Sequence, residues 1–552
     1  MSDIQAYINN TYNKYKISKK GDFESYCFPK TFKLQNPQMF LSEYMKDSRC
    51  KNLLVYHQIG SGKTCTALLI LKTFLNLDYD VYFICPASLK SNVYKEIKSQ
   101  CLNKYWSSLK DFKDIFDPKY IALEKQIDEE IKSVYKIMSY HKFVKFILDR
   151  KQKVKKSIFV LDEVQNIISS KGVYYKVIDS FFKKGIDHKT CKIILLSGTP
   201  VFNQTFELAL MFNLLQPITP FPANPVEFGK HFIGVRIKEG QAEPQVYLKN
   251  KKKITSLLDG HISYFKGAPD FTFPKTIVHL VRCIMSDYQE KCYTTFYQKK
   301  SHGNSDDNFI LSLSNTFLLG LRMLSNICFP NYKINKKGCD LLKISEPSDI
   351  YPVSTKFYFL INKIIKNDKD LFLVYSNFKI YSGILTITKI LDYLGFVLFT
   401  NSNKDDKKYN YKRYAVLSGN ETLSQREMLQ KVFNHPTNKN GHNIRIILCT
   451  PAMKEGVSFV NISQVHIIEP YWNVASIKQV IGRAVRYCSH KTLKEKDRKV
   501  HIYIYLAIFH PDKKTESTDE RIFKIAQQKQ KIIRQLENVM KKSAIDKSLF
   551  QT

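Results

Sequence analysis

The chain is 552 residues long, too long for one ordinary core, so two or three domains are expected. With 44% apolar and 13% aromatic residues it has the material for those cores, which excludes wholesale disorder. A formal net charge of +36 favours a polyanionic partner, because each phosphate neutralised releases condensed counterions; the alternative is a coding bias toward Lys, Asn, Tyr and Ile whose charge is simply solvated.

The 12 cysteines include no Cys-x-x-Cys pair, which argues against a zinc ribbon and a disulfide framework and fits a reducing compartment. Met1-Ser2-Asp3-Ile4 turns polar without the apolar block of a signal peptide. No apolar run nears the ~18 residues that cross a bilayer, so a soluble, cytoplasmic protein without a membrane partner is expected.

Along the chain, β-rich runs alternate with helical patterns twice. Leu53–Tyr56, Val81–Ile84, Ile158–Leu161 and Ile193–Leu196 are near-continuous apolar runs, the pattern of parallel strands buried on both faces. Leu371–Tyr375, Tyr414–Leu417, Ile444–Leu448, Val465–Ile468 and Val500–Ile508 repeat it. An α/β fold with two doubly wound parallel-sheet domains follows, over residues 1–205 and 351–512. Between them, 206–350 reads as a mainly helical insertion, with helical patterns at Glu207–Leu215 and Phe309–Ser325. The tail 513–552 starts with Ser517 and Glu520 in capping-box spacing. Ile522, Ile525, Ile532, Leu536, Val539 and Met540 then recur at helical spacing, predicting a C-terminal amphipathic helix that packs on a domain. The Lys-rich stretches 151–156 and 249–253 read as solvated faces.

The run Leu53–Tyr56 leads into His57-Gln58-Ile59-Gly60-Ser61-Gly62-Lys63-Thr64, and a helical pattern follows through Ala67, Leu68, Leu71 and Phe74. Glycines let such a loop curl its amides toward phosphate oxygens at the positive end of a helix. Gly60, Ser61, Gly62, Lys63 and Thr64 are thus candidate ligands of ATP, with Lys63 on the outer phosphates and the Thr64 hydroxyl on Mg2+. The strict pattern wants glycine where His57 stands. Asp162-Glu163 follows a buried strand, where an α/β sheet places its ligand groups. Asp162 is the candidate second Mg2+ ligand, and Glu163 the group that orients or deprotonates the attacking water.

Taken together, these motifs resemble those of superfamily 2 helicases. Asp162-Glu163-Val164-Gln165-Asn166 looks like their motif II, Ser197-Gly198-Thr199-Pro200 like motif III, and Pro86-Ala87-Ser88-Leu89-Lys90 like motif Ia. Gln479-Val480-Ile481-Gly482-Arg483-Ala484-Val485-Arg486 looks like motif VI. Leu34–Leu41 precedes the loop as an adenine-reading segment does, with Gln38 at the matching position. Asn203 and Glu207 follow motif III as in the Snf2-like branch. Ser263–Lys266, Ser325-Asn326, Phe329-Pro330, Val374–Phe378 and Lys454–Ser458 look like the helicase-ATPases of poxviruses and other large cytoplasmic DNA viruses. That group includes the poxvirus early transcription factor small subunit and nucleoside triphosphate phosphohydrolase I; relatives on yeast cytoplasmic linear plasmids look similar. Gln165 departs from the group's usual His, which bears on the coupling of ATP to nucleic acid rather than on hydrolysis.

The resemblance implies two RecA-like domains working as a motor on nucleic acid, DNA or RNA. It places Gly456 near the nucleotide and makes Gln479, Arg483 and Arg486, spaced along one helical face or its edge, the charge-stabilising set for the γ-phosphate. Cleft closure on ATP and opening after hydrolysis would move the domains along a strand. Ser88, Lys90, Ser139 and Tyr140 in the first domain, and Ser376, Asn377 and Thr450 in the second, are the implied nucleic-acid contacts, each also readable as a helix cap. The implied activity is that of an ATP-dependent helicase or translocase of a cytoplasmic DNA virus or plasmid, working with its transcription machinery and virion-packaged if viral. An RNA polymerase or a second transcription-factor subunit is the implied protein partner. Two alternatives stay open: a double-stranded DNA translocase for termination that does not unwind, and a promoter-binding factor subunit with a regulatory ATPase.

Overall fold

The computed structural model describes residues 2–17, 21–58, 60–112, 117–236, 245–300, 318–453, 457–513 and 515–550, with the side chains of 297–300 and 423 left aside. Each apolar run expected as a strand is one. In chain order the strands are β1 (Leu53–His57), β2 (Asp80–Cys85), β3 (Lys136–Ser139), β4 (Ser157–Leu161), β5 (Lys192–Ser197), β6 (Ile233–Arg236), β7 (Gln245–Leu248), β8 (Ile262–Phe265), β9 (Lys275–Ile284), β10 (Phe372–Tyr375), β11 (Val397–Leu398), β12 (Arg413–Leu417), β13 (Ile446–Cys449), β14 (Gln464–Ile467) and β15 (Lys499–Ile508). They form a six-stranded sheet in the order β3-β2-β4-β5-β1-β8, a seven-stranded sheet in the order β11-β12-β13-β10-β14-β15-β9, and the antiparallel pair β6-β7.

Every pairing within the two large sheets is parallel, for example Leu53 beside Ile194 and Phe372 beside Ile446. Parallel strands need covered faces, and the side-chain alternation supplies two cores per sheet. Leu54, Tyr56, Phe159, Leu161 and Leu195 point into one cluster, and Leu53, Val55, Ile158, Val160 and Leu196 into the other. The second sheet does the same, with Phe372, Val374 and Leu448 on one face and Leu373, Tyr375 and Ile447 on the other.

The chain divides into two compact units, Met1–Ala268 with Lys529–Thr552, and Pro269–Gln528. This corrects the expected helical insertion over 206–350. β8 joins the first sheet and β9, ten residues long, joins the edge of the second. His279 and Arg282 interrupt β9, so it shows no long apolar run, and its outward Val278, Leu280 and Ile284 stay exposed at the sheet edge. The expected helix Glu207–Leu215 is present. Of the other, Leu319–Asn326 is helical and 309–317 lies outside the described residues.

The tail helix runs Thr518–Lys542, and Ser517 and Glu520 form the predicted reciprocal cap at 3.0 and 3.2 Å. It serves both units: Ile522 and Ile525 pack with Trp472 in the second, while Ile532, Leu536, Val539 and Met540 enter a core of the first. Among the described residues no helix is long and apolar enough to cross a membrane. The expectation of unpaired cysteines needs correcting: Cys65–Cys101 and Cys292–Cys328 are disulfide-bonded, each inside one unit, with Cα separations of 5.8 and 6.5 Å. Partners 36 residues apart leave no local spacing signal.

His466 of β14 shows what parallel-sheet burial does to a titratable group. It is fully enclosed, with Nδ1 2.8 Å from the Tyr505 hydroxyl and Nε2 3.2 Å from Gln464 Oε1. Burial, aided by the Lys363 charge, holds it neutral down to about 3. The unfolded chain therefore binds a proton that the native one refuses, and stability present above pH 6.5 is lost as the pH falls toward 3, by ~1.4 kcal/mol per pH unit from this group. Urea unfolding of His466→Gln, followed by a probe in the second unit, should lose stability less steeply than the parent between pH 6.5 and 4.5. Equal slopes would remove His466 from the account.

Candidate active site

The phosphate-binding candidate is built by β1 and the helix after it. All five β1 residues are buried, so the strand end is fixed where the loop begins. Gly60 and Gly62 take φ values of 82° and 74°, a left-handed region that disfavours any residue with a Cβ. At Gly62 a Cβ would also come within 2.6 Å of Gln38 Nε2. Gly62 is the N-cap of the helix Lys63–Leu75, which buries Ala67, Leu68, Ile70, Leu71 and Phe74. No side chain caps that N-terminus and no acidic residue stands in its first turn, so its amides and positive end serve the loop. Among the described residues the buried Ser61 hydroxyl has no hydrogen-bond partner, a donor that a phosphate oxygen would satisfy. Lys63 Nζ lies 3.5 Å from the Gln58 carbonyl. Gln38 accepts from the Gln35 amide at 2.8 Å and reaches the Gly62 carbonyl at 3.4 Å, which seats the expected adenine-reading segment against the loop. Two left-handed glycines, an orphaned hydroxyl and an open helix N-terminus fit a nucleoside triphosphate.

β5 lies between β1 and β4, and the register sets Tyr56 beside Ser197 and Leu161 beside Leu195. The end of β5 thus separates the loop from the acidic pair. Asp162 is almost fully buried; its amide donates to the Ile84 carbonyl at 2.7 Å and its carboxylate accepts the Glu163 amide at 2.9 Å. Glu163 has φ 50° and ψ 47°, a conformation rare for a non-glycine residue and common at functional sites. Its carboxylate accepts from the Gln165 amide group, and Gln165 Oε1 accepts from the Ser197 hydroxyl at 2.7 Å. Ser197 Oγ also accepts the Thr199 amide at 3.1 Å. Gln165, the departure from the group's His, therefore ties Glu163 to the Ser197–Thr199 turn. It donates and accepts at once, as a neutral imidazole does, and it cannot titrate near neutral pH.

Two first-unit residues expected on nucleic acid stand elsewhere. Tyr140 is buried and its hydroxyl donates to the Asp162 carbonyl at 2.7 Å, so it positions the acidic pair. The Ser139 side chain caps the helix Tyr140–Leu148 by accepting the Lys142 amide at 3.3 Å. Ser88 is exposed, and Lys90 is half-buried with Nζ 6.0 Å from the Tyr94 ring. Glu207 gathers the loop after Ser197–Pro200, accepting amides of Phe202, Asn203 and Gln204 at 2.6, 2.9 and 3.1 Å. Those amides favour the charged form, but burial outweighs them and raises the carboxyl to about 7.

In the second unit, Ser376 is fully buried and its hydroxyl donates to Glu469, as does the Asn377 amide. Asn326 Nδ2 donates to the same carboxylate at 3.0 Å. Thr450 is buried with its hydroxyl on the Ser418 carbonyl at 3.3 Å. The side chains of Ser376 and Thr450 are thus committed to the fold, a correction of their expected contact role; Asn377 Oδ1 accepts the Tyr375 hydroxyl at 3.0 Å. Glu469 was missed, although an acid directly after a buried strand was the signal used at Asp162. Gln479 and Arg483 lie on the helix Val474–Ala484, but Arg486 falls beyond its C-cap Val485, so the three do not share one helical face. Arg483 donates to the Val457 carbonyl at 3.2 Å, and Arg486 to the Gly482 carbonyl at 3.1 Å and to Ser458. Burial, with Arg483 beside it, lowers Arg486 to about 10. Gly456 lies outside the described residues.

Comparison with known proteins gives the geometry its family. Residues 37–332 match the SNF2-related domain and residues 355–488 the helicase conserved C-terminal domain. The chain belongs to the SNF2-related superfamily 2 helicases. As a member of that family it is an ATP-hydrolysing enzyme. It is 36% identical to a candidate ATP-dependent RNA helicase of Acanthamoeba polyphaga mimivirus, over 100% of this chain and 95% of that protein. A killer plasmid helicase of Kluyveromyces lactis is 26% identical, over 95% of this chain and 71% of its own length. The termination factor NPH-I homolog of African swine fever virus is 21% identical, over 98% and 84%. Viral and plasmid relatives are what the motif resemblance implied.

For this helicase, Tyr140→Phe separates the observed role of the hydroxyl from the expected one. Losing the bond to the Asp162 carbonyl should cut ATP turnover roughly tenfold while nucleic-acid affinity, read by fluorescence anisotropy, stays at the parental value. Weaker nucleic-acid binding with intact turnover would return Tyr140 to the contact surface.

Proposed function

We propose that this enzyme couples ATP hydrolysis to movement on nucleic acid during transcription of a cytoplasmic DNA element. The observation that carries the reading is the meeting of Gly60–Thr64, Asp162-Glu163 and Ser197 at one edge of one parallel sheet. Lys63 and the loop amides hold the phosphates, and Gln38 reads the adenine end. Thr64 and Asp162 hold Mg2+, which supplies charge neutralisation to the phosphates when bound. Glu163 orients the attacking water, held in place through Gln165 and Ser197. Arg483, Arg486 and Gln479 carry the chemistry that the transferred phosphoryl group needs, since a guanidinium stays charged and grips two oxygens. The net charge of +36 supports a polyanionic track, and Ser88 and Lys90 remain its candidate contacts in the first unit.

A second reading is a duplex translocase that ends transcription without unwinding. The similarity to the NPH-I homolog along 98% of this chain favours it. ATPase measured without nucleic acid and with single-stranded DNA, duplex DNA and RNA, beside a strand-displacement assay, separates the two. Stimulation together with displacement supports the helicase, whereas duplex stimulation without displacement supports the translocase.

Lys63→Ala and Glu163→Gln should each lower turnover by roughly a hundredfold or more and leave nucleic-acid binding intact. Unchanged hydrolysis in either variant would sink the site assignment. Nucleic-acid affinity should fall steeply with salt; a flat response would make the charge excess mere composition.

A further inference from the structure

The loop starts at His57, where the strict pattern has glycine. His57 closes β1, is fully buried, and sets Nε2 3.0 Å from Ser263 Oγ on β8. The Ser263 hydroxyl donates to one Asp546 oxygen at 2.5 Å, and the other accepts the Tyr264 amide at 3.0 Å. The neighbouring Ile545 amide donates to the Ile262 carbonyl at 2.8 Å. β8 is an edge strand, so its outward Tyr264 amide and Ile262 carbonyl have no strand to pair with, and the C-terminal segment satisfies both. His57, Ser263 and Asp546 all have no exposed surface.

When Asp546 is ionised, Ser263 donates its hydrogen to it and accepts from His57, so Nε2 then carries the ring proton. Among the described residues Nδ1 is buried without a partner, and burial with the Lys63 charge nearby keeps the ring neutral. Among those residues one side-chain hydrogen bond holds the imidazole. From there the path continues into the loop: the Gln58 amide donates to the Phe265 carbonyl at 3.0 Å, and the Gln58 carbonyl lies 3.5 Å from Lys63 Nζ.

We propose that Asp546 and Ser263 are positioning residues of the nucleotide site, holding His57 and through it Gln58 and the glycines Gly60 and Gly62 in their phosphate-binding arrangement. The C-terminal segment is thereby part of the ATP site. The inference rests on the assignment of Gly60–Thr64 as the phosphate loop.

The full chain is assayed for ATP turnover, for binding of a fluorescent ATP analogue and for melting temperature. Ser263→Ala and Asp546→Ala should each raise KM for ATP roughly tenfold, with kcat changed by less than about twofold. The double variant should be no worse than either single one, because both break the same chain. Ser263→Thr, which keeps the hydroxyl, should restore the parental KM. Should alanine at 546 unfold the protein, Asp546→Asn keeps an acceptor for one of the two donors and should show a smaller rise of the same kind. A lowered melting temperature with parental KM would make the chain merely structural and overturn the proposal, as would independent effects in the double variant. Lys63→Ala in the same binding assay separates the levels. Lost binding there beside unchanged Ser263→Ala overturns only the positioning role, while retained binding overturns the loop assignment and the inference with it.

Discussion

A parallel sheet sends every strand out at the same edge, and this constraint organises the chemistry of the first unit. β1, β4 and β5 each deliver one group there: the phosphate loop, the acidic pair and the Ser197 turn. The interior of the sheet is apolar on both faces, so only strand ends can host polar side chains without a desolvation cost. With β5 between the other two, Ser197 can reach Gln165 and through it Glu163. Glu163 needs that support, because its left-handed backbone is costly and persists only where neighbours over-determine it. Tyr140 adds a second anchor from the end of β3, on the Asp162 carbonyl.

The second unit repeats the architecture but internalises its polar groups. Glu469, at the end of β14, collects Ser376, the Asn377 amide and Asn326, and Asn326 also accepts from Lys356 at 3.0 Å. Lys356 pairs with Asp519, at the start of the tail helix, and both are buried. A buried ion pair earns little net stability, since desolvation offsets the attraction, yet breaking it strands a charge in the interior. Its effect here is to fix where the tail helix begins: Asp519 also accepts the Ala507 amide of β15 at 2.9 Å. The cost of misplacing such charges specifies one register for the helix more sharply than its apolar stripe could.

What was legible in the sequence follows the same physics. Strands buried on both faces announce themselves as apolar runs, so β1, β2, β4, β5 and the core of the second sheet were readable. β8 and β9 were not, because Ser263 breaks the apolar run of one and His279 and Arg282 that of the other, and with them went the division of the chain. The phosphate loop and acidic pair were readable because their chemistry needs fixed neighbours in sequence. Motif position does not say which way a hydroxyl points, and packing turned those of Tyr140, Ser376 and Thr450 inward, onto partners in the fold. Asp546 acts on residues far away in the chain, and no spacing rule finds such a partner.

Two positions are informative for that reason: His57 departs from the strict phosphate-loop pattern, and Gln165 from the resembled group's usual His. His57 is the last residue of β1, paired in register with Phe265, and its side chain must be accommodated in a fully buried place. The imidazole is accommodated by a hydroxyl on β8, which in turn requires an acceptor, and the acceptor comes from the end of the chain. Gln165 works in the other direction, replacing a titratable bridge by one that keeps both hydrogen bonds at every physiological pH. In both cases the substitution makes sense only with its hydrogen-bond partners, so the sites that break the motif are where tertiary structure has taken over from local sequence in holding the nucleotide site together.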